Sequence, residues 1–410
     1  MKPSGRHPSP ANRCGAPPTL YTDVLHGKSR AARRCGRLGV YGPLHSISPH
    51  PSNRRSRAAK PGETSCAFEV GPLTLDNVSA PKLHHYVPQS YLARFGRGDN
   101  MVRVRRRCPP KTHLANVKNV AAETGFYTIT DDNGMPSTAI EHELSGLEGR
   151  GLAALRRIDE TGMPPVVGTD DREQLCLYLA VQFARTPRKR TGTLFGRNVT
   201  AYANGREVDL ALMTEYLTRK HLGHPPQAAE AQGAWDYYHG TRAMNGGNDP
   251  THDEAVAVTL SSVQVCIPQY RARHWRLETC RKPIFLTSDA PLVLWRPETP
   301  SDAYRGFGLE GAHEIRFPVS PRAQLVLVPG QGTSVEEIKL SRVISCNQDL
   351  ADSCEQVVVG HPDRPTELDR VQLTKRGPTL RFNTAPGIRK NPDGTEEPIG
   401  DILHMWTTRR

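Results

Sequence analysis

The fold is decided at residues 84–95, which read HHYVPQSYLARF, because here a basic, proline-rich leader gives way to sequence that can build a core. The stretch begins with two adjacent imidazoles and a Val-Pro step, and Pro88 fixes its own φ angle and restricts the residue before it. The residues after Pro88 can form a short helix with Tyr91, Leu92 and Phe95 on one face. We therefore expect the folded body to begin at about residue 82.

Residues 1–81 form a leader rich in proline, arginine, serine and glycine, without a sustained hydrophobic period. Such a sequence buries too little apolar surface to offset the conformational entropy lost on folding, so we predict that the leader is disordered. Two interpretations of its origin are open: a functional tail, and a start codon assigned too far upstream. Residues 376–410 are again rich in glycine, proline and charge, which predicts a loosely ordered C-terminal tail.

The formal charge of +12 belongs to the leader rather than to the body. Residues 1–60 hold twelve of the 54 lysines and arginines but only one of the 42 acidic residues, which leaves residues 61–410 with a net charge of +1. A nearly neutral body argues against binding of nucleic acid along a broad basic face. Basic stretches run from Arg103 to Arg107 and from Arg185 to Arg190, and they leave local binding of nucleic acid open.

The sequence contains no run of about 18 apolar residues that could cross a bilayer, and its start lacks the apolar segment of a signal peptide. We therefore expect no membrane insertion. Its nine cysteines are an odd number and include no Cys-x-x-Cys pair, so paired-cysteine zinc sites and thioredoxin-like motifs are not indicated. Free thiols are typical of a reducing compartment, and we expect the protein to be cytoplasmic.

Helical periodicity dominates the first half of the body, and short β-type runs dominate the second. Residues 101–105 and 125–129 have the pattern of strands, but apolar residues recur at helical spacing from Ile140 to Ile267. From Trp275 onward, short apolar runs are separated by proline and glycine. We therefore predict a single α+β domain over residues 82–375, with a helical N-terminal half, a β-rich C-terminal half and disordered tails on either side.

His84 and His85 are the first candidates for a functional site. Adjacent side chains on a strand point in opposite directions, so the two imidazoles are not expected to bind one metal ion together. One imidazole can act as a metal ligand or general base while the other packs, and His85 is the candidate ligand. The alternative is that both imidazoles brace the Val-Pro turn, and the sequence leaves it open.

The second candidate is Thr287-Ser288-Asp289, which follows one apolar run and turns before another. Loops at strand ends often carry functional groups. Asp289 is therefore a candidate catalytic residue and metal ligand, with Thr287 and Ser288 as candidate substrate contacts. The alternative is an Asx or Ser/Thr turn, in which these side chains bond the backbone ahead of Pro291.

Glu123 and Arg185 complete the set of candidates. Glu123 is a carboxylate that can join a pocket as a ligand or a base, or can be a solvated surface side chain. Arg185 lies at a predicted helix end, where a cation complements the helix dipole. Its bidentate guanidinium is also suited to an anionic substrate, so Arg185 is a candidate substrate-binding residue.

These motifs resemble a bacterial family known as domain of unknown function 4238. The opening stretch is similar to the signature His-His-Tyr-Val-Pro-Gln-x-Tyr-Leu-x-x-Phe. Further similar stretches follow in order at residues 122–127, 141–148 and 182–190, at Trp275, at residues 285–291 and 317–321, and at Asn347. The resemblance covers about residues 82–360 and departs at Ala290, where the family often has Asn, and in the long leader. Since the family has no assigned activity, the resemblance implies the extent of a domain and the place of a pocket but no reaction.

Two functions from different classes follow from these residues. The first is a non-catalytic binding or regulatory protein with a pocket of His, Asp and Arg side chains. The second is a metal-assisted hydrolase, with a nuclease as one form of it. There His84 or His85 and Asp289 would hold a divalent metal, Glu123 would act as ligand or base, and Arg185 would contact phosphate. Both hypotheses require the paired imidazoles to lie beside the acidic turn.

Overall fold

The computed structural model describes residues 83–130, 134–137, 139–298, 307–390 and 395–407, and between residues 383 and 407 it describes mainly the backbone. The predicted disorder of residues 1–81 lies outside the described residues. Among the helices of the described ranges, none is both long enough and apolar enough to cross a membrane.

Short strands precede the long helices. In the described residues they are β1 (Leu83–His85), β2 (Met101–Arg106), β3 (Lys111–Asn116), β4 (Ala122–Thr124), β5 (Ile129–Thr130) and β6 (Pro136–Ser137). The prediction of a helical N-terminal half is therefore wrong, because strands at residues 83–137 come before helices at residues 139–271 and a β-rich part comes third. These first strands are two to six residues long, too short for most of them to show the alternation by which strands are recognised in a sequence.

Helices occupy the middle of the chain. After the one-turn helix α1 (Gln89–Leu92) they are α2 (Ala139–Thr161), α3 (Asp170–Ala184), α4 (Pro187–Thr193), α5 (Phe195–Ala203), α6 (Leu210–Tyr216), α7 (Ala228–Met244) and α8 (His252–Arg271). Thr186 caps α4 one residue before Pro187, and Thr251 and Glu254 form a capping box at the start of α8. Arg185 consequently lies in the short link between α3 and α4.

The strands β7 to β13, which follow the long helices, belong to two sheets, and the second of these sheets also includes β2 and β3. The elements of this part of the chain are β7 (His274–Thr279), β8 (Thr287–Ser288), β9 (Val293–Trp295), β10 (Glu314–Ser320), β11 (Ala323–Val328), β12 (Thr333–Glu337), α9 (Leu340–Ser353), β13 (Val357–Gly360) and α10 (Pro365–Arg370). One sheet has the order β12-β7-β11-β10-β9, and the other has the order β3-β2-β13-β8. In the second sheet, Val357 of β13 pairs with Arg106 of β2. This sheet therefore joins strands that precede the helices to strands that follow them.

A long hairpin lies in the segment for which a loose tail was predicted. Strand β14 (Leu380–Lys390) pairs antiparallel with β15 (Glu396–Thr407). Leu380 and Phe382 are buried in a small core formed with helices α5, α6 and α7, where the ring centroids of Phe382 and Phe195 are 4.5 Å apart. The prediction of a disordered C-terminal tail is therefore wrong, because β14 and β15 form a hairpin that packs on the body through Leu380 and Phe382.

The main core joins the opening motif to the rear sheet. Tyr91, Phe95 and Phe317 are fully buried, and the centroid of the Tyr91 ring lies 5.0 Å from that of Phe317. The Tyr91 hydroxyl donates a hydrogen bond to the carbonyl of Pro318 at 2.7 Å. Buried aromatic contacts and a satisfied hydroxyl stabilise a core together. The stretch at residues 84–95 is thus a structural centre of the molecule.

Acid is expected to destabilise the protein through His221, which follows α6. Its ring packs 5.2 Å from that of Tyr216, and burial lowers the pKa of His221 to about 4. Histidine titrates near 6.5 in an unfolded chain, so the folded state binds fewer protons and loses stability as the pH falls from about 6.5 to 4. Urea unfolding curves should show a smaller loss over this range for His221→Gln than for wild type. His224→Gln, at an exposed histidine three residues away, should follow the wild-type curve.

Candidate functional site

The two predicted imidazoles have different surroundings. His84 is fully buried, and its Nδ1 accepts a hydrogen bond from the backbone N–H of Tyr127 at 2.9 Å. The ring of His84 also stacks on that of Tyr127, with 6.1 Å between centroids and 12° between planes. These contacts hold the chain that follows β4 against β1.

His85 is half-buried and points away from His84. Its Nε2 lies 3.1 Å from the carbonyl oxygen of Lys118, and its Nδ1 lies 3.3 Å from Nε2 of Gln89. These partners place the ring hydrogen on Nε2, where it meets a carbonyl, and leave a lone pair on Nδ1. Burial lowers the pKa of His85, with the Arg185 cation adding to the effect, so the ring is neutral near pH 7.

The acidic turn is held inside the protein. Both oxygens of Asp289 accept backbone hydrogen bonds, from Glu355 at 2.8 Å and from Gln356 and Val357 at 2.6 and 3.0 Å. The side chain of Asp289 is fully buried. Burial raises its pKa to about 7, while the three N–H donors favour the ionised form. Asp289 therefore ties the turn that bears it to the start of β13.

The neighbours of Asp289 are also engaged in the backbone and core. Ser288 Oγ accepts from the backbone N–H of Ala290 at 3.1 Å, which is the geometry of a Ser/Thr turn. Thr287 Oγ1 lies 2.8 Å from the hydroxyl of Tyr91. Because Tyr91 already donates to a carbonyl, Thr287 is the donor of this bond. Both side chains are fully buried.

The opening motif and the acidic turn are neighbours, but His85 and Asp289 have different charged neighbours. Tyr86, next to His85, has its pKa raised chiefly by burial and next by the carboxylate of Asp289. His85 itself responds to Glu148 and Arg185. Among the described residues, no three His, Cys, Asp or Glu side chains converge as metal ligands.

A polar group that we call the Arg185 cluster lies on the other side of His85. Its members come from β1, the chain after β4, helices α2 and α3 and the link after α3. The charges of Glu148 and Arg185 act on the pKa values of the other members, which are His85, Tyr127, Glu141 and Tyr178. Arg185 is only 2% exposed, and its Nη1 donates to Oε1 of Glu148 at 2.5 Å. With its amide oxygen turned toward Arg185, Gln182 accepts from the guanidinium Nε at 3.2 Å. The charge of Arg185 is thus balanced inside the cluster.

Three oxygens of the Arg185 cluster keep hydrogen-bonding capacity. The buried hydroxyls of Tyr127 and Tyr178 and the Oε2 atom of Glu141 have no partner of good geometry among the described residues. The Tyr127 hydroxyl does face the Arg185 guanidinium, and that cation opposes the large rise in pKa that burial causes. Burial raises the pKa of Glu141 too, and the like charge of Glu148 adds to the rise.

A pocket opens beside the Arg185 cluster, between the α3–α4 link and the first turns of α8. Its cavity volume is about 10 Å³, room for about one water molecule, and it is lined by Phe126, Tyr127, Ala184, Arg185, Thr186, Arg190, His252, Ala255, Val256 and Thr259. We call it the α8 pocket. The Nε2 atom of His252 is buried and has no hydrogen-bond partner among the described residues.

Three arginines of the first basic stretch, residues 103–107, donate hydrogen bonds to backbone carbonyls of the protein itself. Arg103 donates to the carbonyl of Pro362, and Arg105 to those of Leu368 and Val371. Arg107 is 3% exposed and donates to the carbonyls of Ala351, Cys354, Thr374 and Arg376. Guanidinium groups used in this way have little capacity left for phosphate.

The second basic stretch is paired with acidic side chains. Arg188 lies 2.8 Å from Glu355, and Arg190 donates to Glu123 at 2.8 Å while its guanidinium covers the ring of Phe126. Glu123 is exposed and pairs across strands with His84, so its carboxylate is at the rim of the site. These pairs reduce the positive charge available to an anionic ligand.

The site residues predicted from the sequence did not include Tyr127, Glu141, Glu148, Tyr178 or His252. Glu141 and Glu148 are two helical turns apart on α2, as are Tyr178 and Arg185 along α3, so each pair shares one face. Glu141 and Glu148 also bound a stretch that resembles the family, and that was the available signal. His252 carries no such signal, since only the packing of α8 brings it to the pocket.

The family model described as "Protein of unknown function (DUF4238)" matches residues 83–364 of the chain. Neither the curated proteins nor the solved structures contain a significant match. The family match includes β1, the Arg185 cluster, the α8 pocket and the turn at Asp289.

Proposed function

The chain belongs to the DUF4238 family of proteins of unknown function, and from that premise we propose that it is a binding protein whose ligand enters the α8 pocket. The observation that carries the proposal is that the buried Nε2 atom of His252, which has no hydrogen-bond partner among the described residues, lines the same pocket as Tyr127, whose hydroxyl faces the Arg185 guanidinium. In place of the predicted His, Asp and Arg pocket, the proposed pocket has His252, Tyr127 and Arg185.

Energetic cost supports a ligand at these atoms. A buried polar group without a partner costs about 1–3 kcal/mol, a large fraction of the stability of a typical domain. The Nε2 atom of His252 would recover that free energy from a ligand that hydrogen-bonds to it. The cavity has room for one small group of that ligand, such as a hydroxyl, beside the apolar side chains of Phe126, Ala255 and Val256.

A hydrolase is the second candidate, and the carboxylates of α2 favour it. Burial raises the pKa of Glu141 while it lowers that of His85, which brings the pKa values of a candidate acid and a candidate base in one cluster closer together. The metal-assisted form with His85 and Asp289 as ligands has weaker support, because both oxygens of Asp289 are bonded to backbone N–H groups.

A bacterial extract freed of macromolecules tests the binding function. Ligand at about ten times its dissociation constant adds about 1.4 kcal/mol of stability, so the extract should raise the melting temperature of the wild-type protein by about 2–4 °C. The double variant Tyr127→Phe/His252→Leu should not respond, because it lacks both hydrogen-bonding atoms. Thr259→Val, which changes the pocket wall without changing its size, should respond as wild type does.

The same samples separate binding from hydrolysis. If mass spectrometry of the extract shows a compound consumed by wild type but not by Glu141→Gln, the hydrolase is correct and a purely binding role is wrong. If wild type is not stabilised, or the double variant is stabilised equally, the α8 pocket is not the binding site.

A further inference from the structure

Strand β3 is an open edge of its sheet. In the described part of the chain it lies at one end of the order β3-β2-β13-β8 and pairs with β2. None of its six residues is buried, and Leu114 is 42% exposed. We propose that this edge binds an extended, acidic peptide segment of a partner protein, which joins the sheet as an added strand. The proposal concerns a surface separate from the α8 pocket and does not depend on the function proposed for that pocket.

The direction of the backbone groups is the first step. In an antiparallel pair, alternate residues of a strand turn their N–H and C=O groups toward the partner strand, and the residues between them turn theirs away. Val117, just after β3, donates its N–H to the carbonyl of Asn100 at 3.0 Å, which identifies the odd-numbered residues of β3 as those that face β2. The outward groups belong to the even-numbered residues Thr112, Leu114 and Asn116. Among the described residues these backbone groups have no hydrogen-bond partner, so they can pair with another strand.

The charge beside this edge is the second step. Residues 100–122 contain six arginines and lysines and no acidic residue. Three of the arginines donate to the carbonyls described above. The other three cations are exposed, and their charged groups form no ion pair or hydrogen bond within the described ranges: Arg106, Lys111 and Lys118. Arg106 and Lys111 lie opposite each other across β2 and β3, so they share one face of the sheet. A carboxylate on an added strand would be attracted to that face, and a cation would be repelled from it.

The edge at β12 lacks this unbalanced charge. Glu336 of β12 lies 3.5 Å from Arg276, and Glu337 lies 2.7 Å from Arg281. The charges at β12 are therefore paired within the protein, and the edge at β3 is the one that favours a partner of opposite charge. A second copy of β3 would bring like charges together, and a nucleic acid does not supply N–H and C=O groups at the spacing of a strand.

The two faces of β3 define the side-chain pattern of the peptide. Leu114 lies on one face, and Lys111 lies on the other, because successive side chains of a strand point to opposite faces. A strand added beside β3 therefore meets an exposed apolar side chain on one face and exposed cations on the other. A peptide of alternating valine and glutamate matches both faces.

Fluorescence anisotropy with the full chain tests the proposal. We expect a labelled hexapeptide of alternating Glu and Val to bind about tenfold more tightly than one of alternating Lys and Val, because charges across a strand pair attract or repel. Leu114→Pro removes one outward N–H, which an edge strand tolerates, and should weaken binding by about tenfold. Leu114→Ala keeps that N–H and should bind the Glu/Val peptide within about threefold of wild type. The basic leader is the same in all three proteins, so it does not contribute to these differences.

Methylated peptides test strand pairing without changing the protein. Alternate N–H groups of an added strand face β3, and the others face solvent. Of two Glu/Val peptides, one N-methylated at its Glu residues and the other at its Val residues, one should therefore bind wild type as before and the other should lose binding. Equal effects of the two methylation patterns would show that the peptide does not bind as a strand.

Three further results would overturn the proposal. The first is equal binding of the Glu/Val peptide to Leu114→Pro, once circular dichroism shows that this variant is folded, and to wild type. The second is a single-stranded oligonucleotide that binds more tightly than the peptide and is released by Lys111→Glu, which would identify a nucleic-acid surface. The third is a dimer that Leu114→Pro dissociates in sedimentation velocity, which would show that a second copy occupies the edge.

Discussion

Asp289→Ala is expected to lower the free energy of unfolding by about 3–5 kcal/mol, because it removes a buried charged acceptor and leaves three backbone N–H groups without their partner. The donors are those of Glu355, Gln356 and Val357, at 2.6 to 3.0 Å from the carboxylate oxygens. Their loss would free the start of β13, which pairs with both β2 and β8. Equilibrium unfolding in urea measures the change.

Asp289→Asn is the matched control for charge and shape. The amide keeps the size of the side chain and one acceptor oxygen but turns an NH₂ group toward a backbone N–H, so an intermediate loss of about 1–3 kcal/mol is expected. The order wild type, Asn, Ala should therefore hold. If Asp289→Ala unfolds at the same urea concentration as wild type, the carboxylate is not a structural tie, and its predicted catalytic or metal-binding role becomes the better explanation.

Gly151→Ala is expected to destabilise the protein by about 3 kcal/mol, although alanine is normally the better helix former. Helices α2 and α3 meet at Gly151, where an added Cβ would lie 2.4 Å from Cδ2 and 2.5 Å from Cγ of the Tyr178 ring. Tyr178 is fully buried and packs against Phe317, so its ring has no free space into which to move. The clash therefore outweighs the gain in helix propensity of at most about 1 kcal/mol.

Gly149→Ala supplies a control of opposite sign in the same helix. A Cβ at Gly149 would meet nothing within 4 Å, so this change should stabilise the protein by about 0.5–1 kcal/mol. Tyr178→Phe should not rescue Gly151→Ala, because ring carbons rather than the hydroxyl meet the added methyl. Thermal unfolding of wild type, Gly151→Ala, Gly149→Ala and the double variant Gly151→Ala/Tyr178→Phe tests these expectations. Similar melting temperatures for Gly151→Ala and Gly149→Ala would contradict the close packing of α2 on α3 at Gly151.

Local chemistry explains what the sequence could predict about the fold. The Val-Pro step and the apolar face of residues 84–95 predicted the short helix after Pro88, and the alternation in MVRVRR predicted β2. Helical spacing indicated helices at several places between Ile140 and Ile267, where the structure has α2 to α8, but it did not indicate α5 or α7. The order of strands and helices was predicted wrongly, since strands as short as β5 and β6 owe their pairing to partners elsewhere in the chain.

The candidate site, like the fold, was predicted only in part from the sequence. From the sequence alone, His85 and Arg185 were identified by their chemical capacity, and both belong to the Arg185 cluster. Asp289 was chosen on the same grounds, but the structure surrounds it with backbone N–H groups. The chemical type of a side chain indicates which bonds it can form, but it does not indicate which partners it has in the folded protein.

By itself, therefore, the sequence determined the family and a list of reactive side chains, and it indicated part of the helical and β-type segments. Only the tertiary structure decided which of these reactive side chains bond to other groups of the protein and which keep an unused donor or acceptor. Arg103, Arg105 and Arg107 donate to carbonyls from residues 351–376, and His252 lines the same pocket as Tyr127 because α8 packs beside the α3–α4 link. The physical reason is that a hydrogen bond or ion pair depends on distance and burial, and both are set by contacts between residues far apart in the chain.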